Sequence, residues 1–205
     1  MKIDLKKRIS TYTAMAEVFA VVDVPPLQYL MVDGHGDPNT STAYRDALGS
    51  IYPVAYKLKF ASKQALDRDY TVMPLEALWW AEDMSTFTSK RDKSRWDWTV
   101  MLLVPDWLDH EDVERARAAA SRSQSPALDQ VRLERLEEGR CVQTLHVGPY
   151  EAEAPVLDTM HQQVIPAGRL TMRGKHHEIY LNDSRRTDPA KLRTILRQPV
   201  IDAHG

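Results

Sequence analysis

The chain has 205 residues, of which 43% are hydrophobic and 27% are charged, and its formal net charge is -2 at pH 7. This composition is typical of a folded protein and excludes a chain that is disordered throughout. The slightly negative net charge argues against a dedicated nucleic-acid surface. The sequence contains no run of about 18 apolar residues, so no membrane span is predicted. Because Cys141 is the only cysteine and five of the first ten residues are charged, we predict a cytoplasmic location.

The first half of the chain is predicted to form a strand, a helix, two paired strands and a second helix. Gly34 and Gly36 permit the turn that ends the first strand, Ser41 and Thr42 can cap the first helix, and Pro53 predicts a kink or break inside it. The five elements are expected at residues 27–36, 42–58, 70–81, 96–104 and 108–121.

The second half follows a break at residues 123–126 and contains the same strand-helix-strand-strand order. It begins with strands at 131–136 and 140–150, and continues with an amphipathic helix at 156–165 and strands around 176–182 and 192–201.

The two halves also share a local pattern. Gln, Leu and Val alternate before a glycine in both, first at residues 28–34 and again at residues 143–148. We therefore predict an α+β fold of two tandem strand-helix-strand-strand modules, spanning about 24–122 and 131–203. The modules would be related by a pseudo-two-fold axis, with a ligand groove between them.

Each predicted module places one glutamate in a strand beside aromatic residues. Glu76 would share a strand face with Trp80, and Glu178 would share one with His176 and Tyr180, because side chains alternate between faces. A carboxylate among aromatic rings requires a buried partner, a raised pKa or a cationic ligand. If the modules are equivalent, both glutamates face one groove.

Each of the two glutamates also has an explanation that involves no ligand. Glu178 could instead form a structural ion pair with Arg173, Lys175 or Arg193, and Glu76 could be a solvated strand residue. The five tryptophans are expected to lie mostly in the core. Because alternate residues of a strand share a face, Trp80 rather than Trp79 would lie on the face of Glu76 and line the groove. Trp98 lies on the strand that is expected to pair with it.

Several kinds of site are not supported. No His-x-His or His-x-x-x-His pair occurs, and one cysteine cannot form a thiolate cluster, so no metal site is predicted. The chain lacks a complete dinucleotide fingerprint, a phosphate-binding loop and a Gly-x-Ser-x-Gly nucleophile motif, so no cofactor is predicted either. Acid/base chemistry is the form of catalysis that visible residues support.

Longer segments resemble the GyrI-like small-molecule-binding family. They cover nearly the whole chain and include the stretches at residues 30–39, 73–80, 146–150, 174–181 and 191–200, although Ala77 stands where a glycine is expected. The resemblance implies two pseudo-symmetric modules and a groove for lipophilic, aromatic and often cationic compounds. Relatives fused to DNA-binding domains are multidrug-sensing regulators, and a stand-alone branch includes hydrolases that open the strained cyclopropane of DNA-alkylating natural products.

The resemblance also implies roles for particular residues. Glu178 would be the leading acid/base residue with Tyr150 as a second catalytic group; the ligand-binding residues would be Tyr180, Glu76, Trp80, His176 and Trp98. We therefore expect a small-molecule-binding protein that hydrolyses strained electrophiles such as cyclopropanoids for cellular protection. The alternatives are a non-catalytic drug-sequestering protein and an inhibitor of an unknown protein partner.

Overall fold

The strands form one antiparallel sheet that joins the two halves of the chain. The computed structural model describes residues 2–82, 92–121 and 125–203. Nine strands occur in these ranges: β1 (Ala20–Val24), β2 (Leu27–His35), β3 (Leu75–Trp80), β4 (Asp97–Leu103), β5 (Arg132–Leu136), β6 (Gly139–Val147), β7 (Leu170–Met172), β8 (His176–Tyr180) and β9 (Arg193–Asp202). Their order is β1-β6-β9-β8-β3-β4-β2-β5, with β7 paired to β9 outside this path.

The pairing of β3 with β8 joins the two halves at the centre of the sheet. The mixed α+β class is as predicted, and the strands expected in both halves are present. β1 and β7 were not predicted, and β1 pairs with β6, which belongs to the other half. The expected break at 123–126 lies mostly outside the described residues, and the module bounds of 24–122 and 131–203 stay a prediction.

The α-helices of the described residues are α1 (Leu5–Arg8), α2 (Thr42–Ala65), α3 (His110–Ala120), α4 (Ala154–Thr159) and α5 (Ile165–Ala167). A π-helical segment, Met160–Val164, connects α4 to α5. None of the described helices is both long and apolar enough to cross a membrane.

The long helix α2 begins where predicted and continues through its proline. The Ser41 side chain accepts a hydrogen bond from the backbone N–H of Tyr44 at 3.3 Å, which caps the first turn. The predicted break at Pro53 does not occur. Pro53 cannot donate to the carbonyl of Gly49 one turn earlier, and that carbonyl instead accepts a hydrogen bond from the Ser125 hydroxyl at 2.8 Å. The helix backbone is therefore satisfied at the proline.

Both faces of the sheet are covered. Helices α2 and α3 pack over β2, β3 and β4 on the front face, and α4 and α5 with the π-helical segment pack over β6 and β9 on the same face. The back face carries a second core, which includes Met31, Leu78 and Ile179, and the N-terminal segment packs against it through Leu5, Ile9 and Tyr12. This cover over the back face was not predicted, and it determines the role of one of the two glutamates.

Candidate functional site

A groove of about 1110 Å³ crosses the front face between α2 and α4. Tyr44, Leu48 and Tyr52 of α2 form one wall and Leu157 of α4 lies on the other. The floor consists of residues from the two central strands, namely Trp79, His176, Glu178 and Tyr180. A volume in this range suits a small organic ligand.

Glu178 is the carboxylate at the floor of this groove. Its side chain is 14% exposed, and its Oε2 atom accepts a hydrogen bond of 2.6 Å from the Tyr180 hydroxyl. Among the described residues it has no ion pair with an arginine or lysine. The structural ion pair with Arg173, Lys175 or Arg193 is therefore not formed.

Tyr180 connects the carboxylate to the aromatic wall. Its hydroxyl donates to Glu178 and accepts a hydrogen bond from the indole N–H of Trp79 at 3.1 Å. Burial, together with the negative charge of Glu178, raises the pKa of Tyr180 well above its ordinary value. Tyr180 therefore stays a neutral hydrogen-bond donor at pH 7, and its two hydrogen bonds fix the orientation of the carboxylate.

Aromatic rings surround the carboxylate. Tyr44 stacks on Trp79 with ring centroids 6.2 Å apart, and Tyr150 contacts Tyr180 edge to face at 5.5 Å. Burial is the main cause that raises the pKa of both Tyr44 and Tyr150, and Glu178 contributes to each shift. The groove thus combines ring surfaces, neutral phenol donors and the Glu178 carboxylate at its floor, a combination that suits an aromatic ligand carrying a positive charge or a hydrogen-bond acceptor. Further acidic and basic side chains also line it, among them Glu153, Asp183, Arg45 and Lys93.

His176 lies beside Glu178 on the same face of β8. It is 6% exposed, lines the groove, and has its Nε2 atom 3.5 Å from Oε1 of Glu178. On its other side, the ring of His161 from the π-helical segment contacts it edge to face, with centroids 6.1 Å apart. Burial, followed by the effect of His176, lowers the pKa of His161 to about 4, so His161 is neutral at pH 7.

The expectation that Glu76 faces the same groove is wrong. Ala77 lies directly opposite Glu178 in the register of β3 and β8, whereas Glu76 lies opposite Ile179. Directly opposed residues share a face and consecutive residues do not, so Glu76 and Glu178 point to opposite sides of the sheet. Glu76 is fully buried on the back face rather than solvated.

Glu76 belongs to a buried network under the N-terminal segment. It accepts a hydrogen bond from the Tyr12 hydroxyl and lies 2.9 Å from Nε2 of His177. Nδ1 of His177 lies 2.9 Å from Glu138, and Glu138 also pairs with Arg197 at 2.9 Å. The alternating carboxylates and cations compensate one another, and the burial of all four side chains closes this cluster to ligands.

The pKa values of this network reflect the pairing. Burial alone would lower the pKa of His177, but Glu138 and Glu76 outweigh it and raise the pKa to about 9. Burial alone would raise the pKa of Glu138, but His177 and Arg197 lower it to about 2. Both groups are therefore charged at neutral pH inside the protein.

Two predicted groove tryptophans lie elsewhere. Trp80 shares the back face with Glu76, where the ammonium of Lys175 sits 3.2 Å from its ring centroid. Trp98 is on the front face but is fully buried beneath Tyr44, with ring centroids 5.0 Å apart. The structure therefore brings Glu178, Tyr150, Tyr180 and His176 together in the groove, and places Glu76, Trp80 and Trp98 outside its lining.

Sequence reasoning missed Trp79, Tyr44 and His161. The prediction of Trp80 as the groove residue depends on the face of Glu76. The pairing of β3 with β8 instead places Trp79 opposite His176, on the face of Glu178. Tyr44 follows the predicted helix cap closely, which places it on the first turn of α2. The π-helical turn that positions His161 left no signal in the sequence pattern. The described His, Cys, Asp and Glu side chains form no group of three or more that could hold a metal ion.

Comparison with known proteins assigns the family. The model of the GyrI-like small molecule binding domain matches residues 18–200. The chain belongs to the GyrI-like family. No functionally curated protein matches the chain.

Several solved structures resemble this GyrI-like chain. An uncharacterised conserved protein from Listeria innocua is 38% identical with a TM-score of 0.88, and the match covers 98% of this chain and 100% of that one. A hydrolase from Listeria innocua is 36% identical with a TM-score of 0.86 and the same coverage. The EcmrR C-terminal domain is 13% identical with a TM-score of 0.58 over 91% of this chain and 98% of that one, which shows a shared fold alone.

Proposed function

We propose that the groove binds lipophilic aromatic small molecules, with cationic compounds preferred, and that it hydrolyses strained electrophiles such as cyclopropanoids. The observation that carries the proposal is the Glu178 carboxylate, held by Tyr180 at 2.6 Å among aromatic rings and without a cationic side-chain partner among the described residues. A ligand cation would gain from both the carboxylate and the ring faces. A protective role in the cytoplasm would follow.

The hydrolytic part is supported by the chemistry of the groove and by the relative from Listeria innocua, 36% identical, that is described as a hydrolase. Opening a cyclopropane joined to a dienone requires a donor at the carbonyl oxygen and a water near the ring carbon. Tyr150 lies on the groove as a neutral phenol and would be the donor. Glu178 would supply the negative charge near the water.

Incubation with a duocarmycin-type cyclopropanoid, followed by mass analysis, tests the hydrolytic part. Hydrolysis predicts a product heavier than the substrate by one water, formed at a rate proportional to protein concentration. A matched titration with a rhodamine dye tests binding, because an aromatic ligand beside Trp79 should quench tryptophan fluorescence.

The same groove also fits a protein that sequesters its ligand unchanged. Quenching by both compounds without any water adduct would support sequestration and remove hydrolysis. If neither compound quenches the fluorescence, both hydrolysis and sequestration in this groove are excluded.

A further inference from the structure

His176 carries polar atoms in the groove that the proposed function has not used. Neither of its ring nitrogens has a hydrogen-bond partner among the described residues, although His176 is only 6% exposed. Buried polar atoms in folded proteins nearly always have a partner, from the chain, from water or from a ligand. His176 therefore marks a position in the groove where water or a polar ligand atom binds.

The Glu178 carboxylate lies beside His176, so a group bound at this position would contact both side chains. Nε2 of His176 and Oε1 of Glu178 are 3.5 Å apart, and the contact does not meet hydrogen-bond geometry. One water can contact both atoms at ordinary hydrogen-bond length, donating one proton to each. An anionic ligand group is disfavoured there because the carboxylate of Glu178 would repel it.

The surroundings of His176 hold its ring in place. Trp79 lies directly opposite it on β3, and His161 packs edge-on against it from the π-helical segment. Such π-helical turns occur frequently at functional sites. His161 is neutral at pH 7, so it adds no positive charge next to His176.

Resting on the hydrolysis proposed above, we propose that His176 is its general base, and that it takes a proton from a water held between its Nε2 atom and the Glu178 carboxylate. Imidazole is the side chain most often used for proton transfer near neutral pH. Glu178 is less suited to be the base because its Oε2 atom already accepts the Tyr180 hydrogen bond. Its role is to stabilise the imidazolium that forms.

The step balances in atoms and charge. The water oxygen forms a bond to a ring carbon of the cyclopropane while one C–C bond of the ring breaks. The electron pair of the broken bond moves through the dienone to its carbonyl oxygen, which becomes a phenolate. Nε2 of His176 receives the water proton and passes a proton through solvent to the phenolate. The product is substrate plus one water, and His176 returns to its neutral form.

The test compares His176→Gln with wild type in two assays. Glutamine retains a polar group of similar size but cannot take up the proton. We expect kcat for a duocarmycin-type cyclopropanoid to fall about 100-fold or more, because general base catalysis contributes on that scale. Binding measured by tryptophan quenching should change by less than about twofold, which separates chemistry from binding. His35→Gln is the matched control, since His35 is exposed and lies outside the groove lining, and it should retain wild-type turnover.

A second variant guards against a purely structural effect. His176→Ala opens space for an imidazole molecule, and added imidazole should restore part of its turnover. If His176→Gln keeps kcat within about threefold of wild type, His176 is not the base although hydrolysis stands. Joint loss of binding and turnover without imidazole rescue would also overturn the assignment. If wild type binds the cyclopropanoid and never converts it, the proposed hydrolysis fails and this inference fails with it.

Discussion

Replacing Glu76 by glutamine should weaken the fold while leaving the groove intact. The variant keeps the volume of the side chain and one acceptor oxygen for the Tyr12 hydroxyl. It removes the negative charge that faces His177 at 2.9 Å in a fully buried position. His177 is then left with Glu138 as its one carboxylate partner in the network.

The magnitude follows from the burial of this pair. Removing one partner of a buried ion pair typically costs about 3–5 kcal/mol. Because Glu138 still contacts His177 and the amide oxygen still accepts from Tyr12, we expect the lower end of that range, about 3 kcal/mol. For a chain of this size that loss shifts the urea midpoint by about 1 M.

Urea unfolding followed by far-UV circular dichroism measures this change. Glu178→Gln is the matched control, since its carboxylate is partly exposed and the amide oxygen can still accept from Tyr180; we expect it to lose less than about 1 kcal/mol. Folded Glu76→Gln protein should bind a rhodamine dye like wild type. A loss below about 1 kcal/mol, or impaired dye binding at unchanged stability, would refute the assignment of Glu76 to the back-face network.

Three further predictions concern the pH dependence, the support of the groove and its hydrogen bonds. The pKa of His177 is raised from 6.5 to about 9 in the folded protein, so protonated His177 stabilises the fold fully below about pH 6.5 and this stabilisation is lost as the pH rises through 9. The urea midpoint should therefore fall between these pH values, and a midpoint independent of pH would contradict the prediction. A Cβ atom on Gly34 would lie 2.1 Å from the ring of Trp98, so Gly34→Ala should displace that ring and lower the melting temperature. A near-ultraviolet spectrum and a melting temperature like those of wild type would show that no displacement occurs. Tyr180→Phe removes the donor to Glu178 and should weaken rhodamine binding about fivefold by fluorescence titration, and equal affinity would mean that the hydroxyl does not orient the carboxylate.

The strands were predictable because their apolar segments are separated by turns and polar stretches. Leu27–His35 ends where a glycine permits a turn, and Arg193–Asp202 contains a continuous buried run. The groove strand around Glu178 was also predictable, since His176 and Tyr180 share its face by simple alternation. These features depend on local sequence, which a single chain reveals directly.

The face of Glu76 was not predictable from the sequence alone. β3 is buried on both sides, so its apolar residues do not alternate with polar ones and give no indication of which side is the groove. The answer depends on the register with β8, about 100 residues away, and a shift of one residue reverses every side chain. The N-terminal cover was missed because the interaction of Tyr12 with the back face connects residues far apart in the chain.

The central claim is that the Glu178 carboxylate in the aromatic groove recognises the ligand. Titration of a cationic rhodamine dye into wild type and Glu178→Gln, read by tryptophan quenching, tests it most directly. The account predicts a loss of affinity of at least about tenfold in the variant, since a charge-assisted contact in a partly buried site contributes about 1.5–3 kcal/mol. Equal affinity of the two proteins, at equal stability, would contradict it.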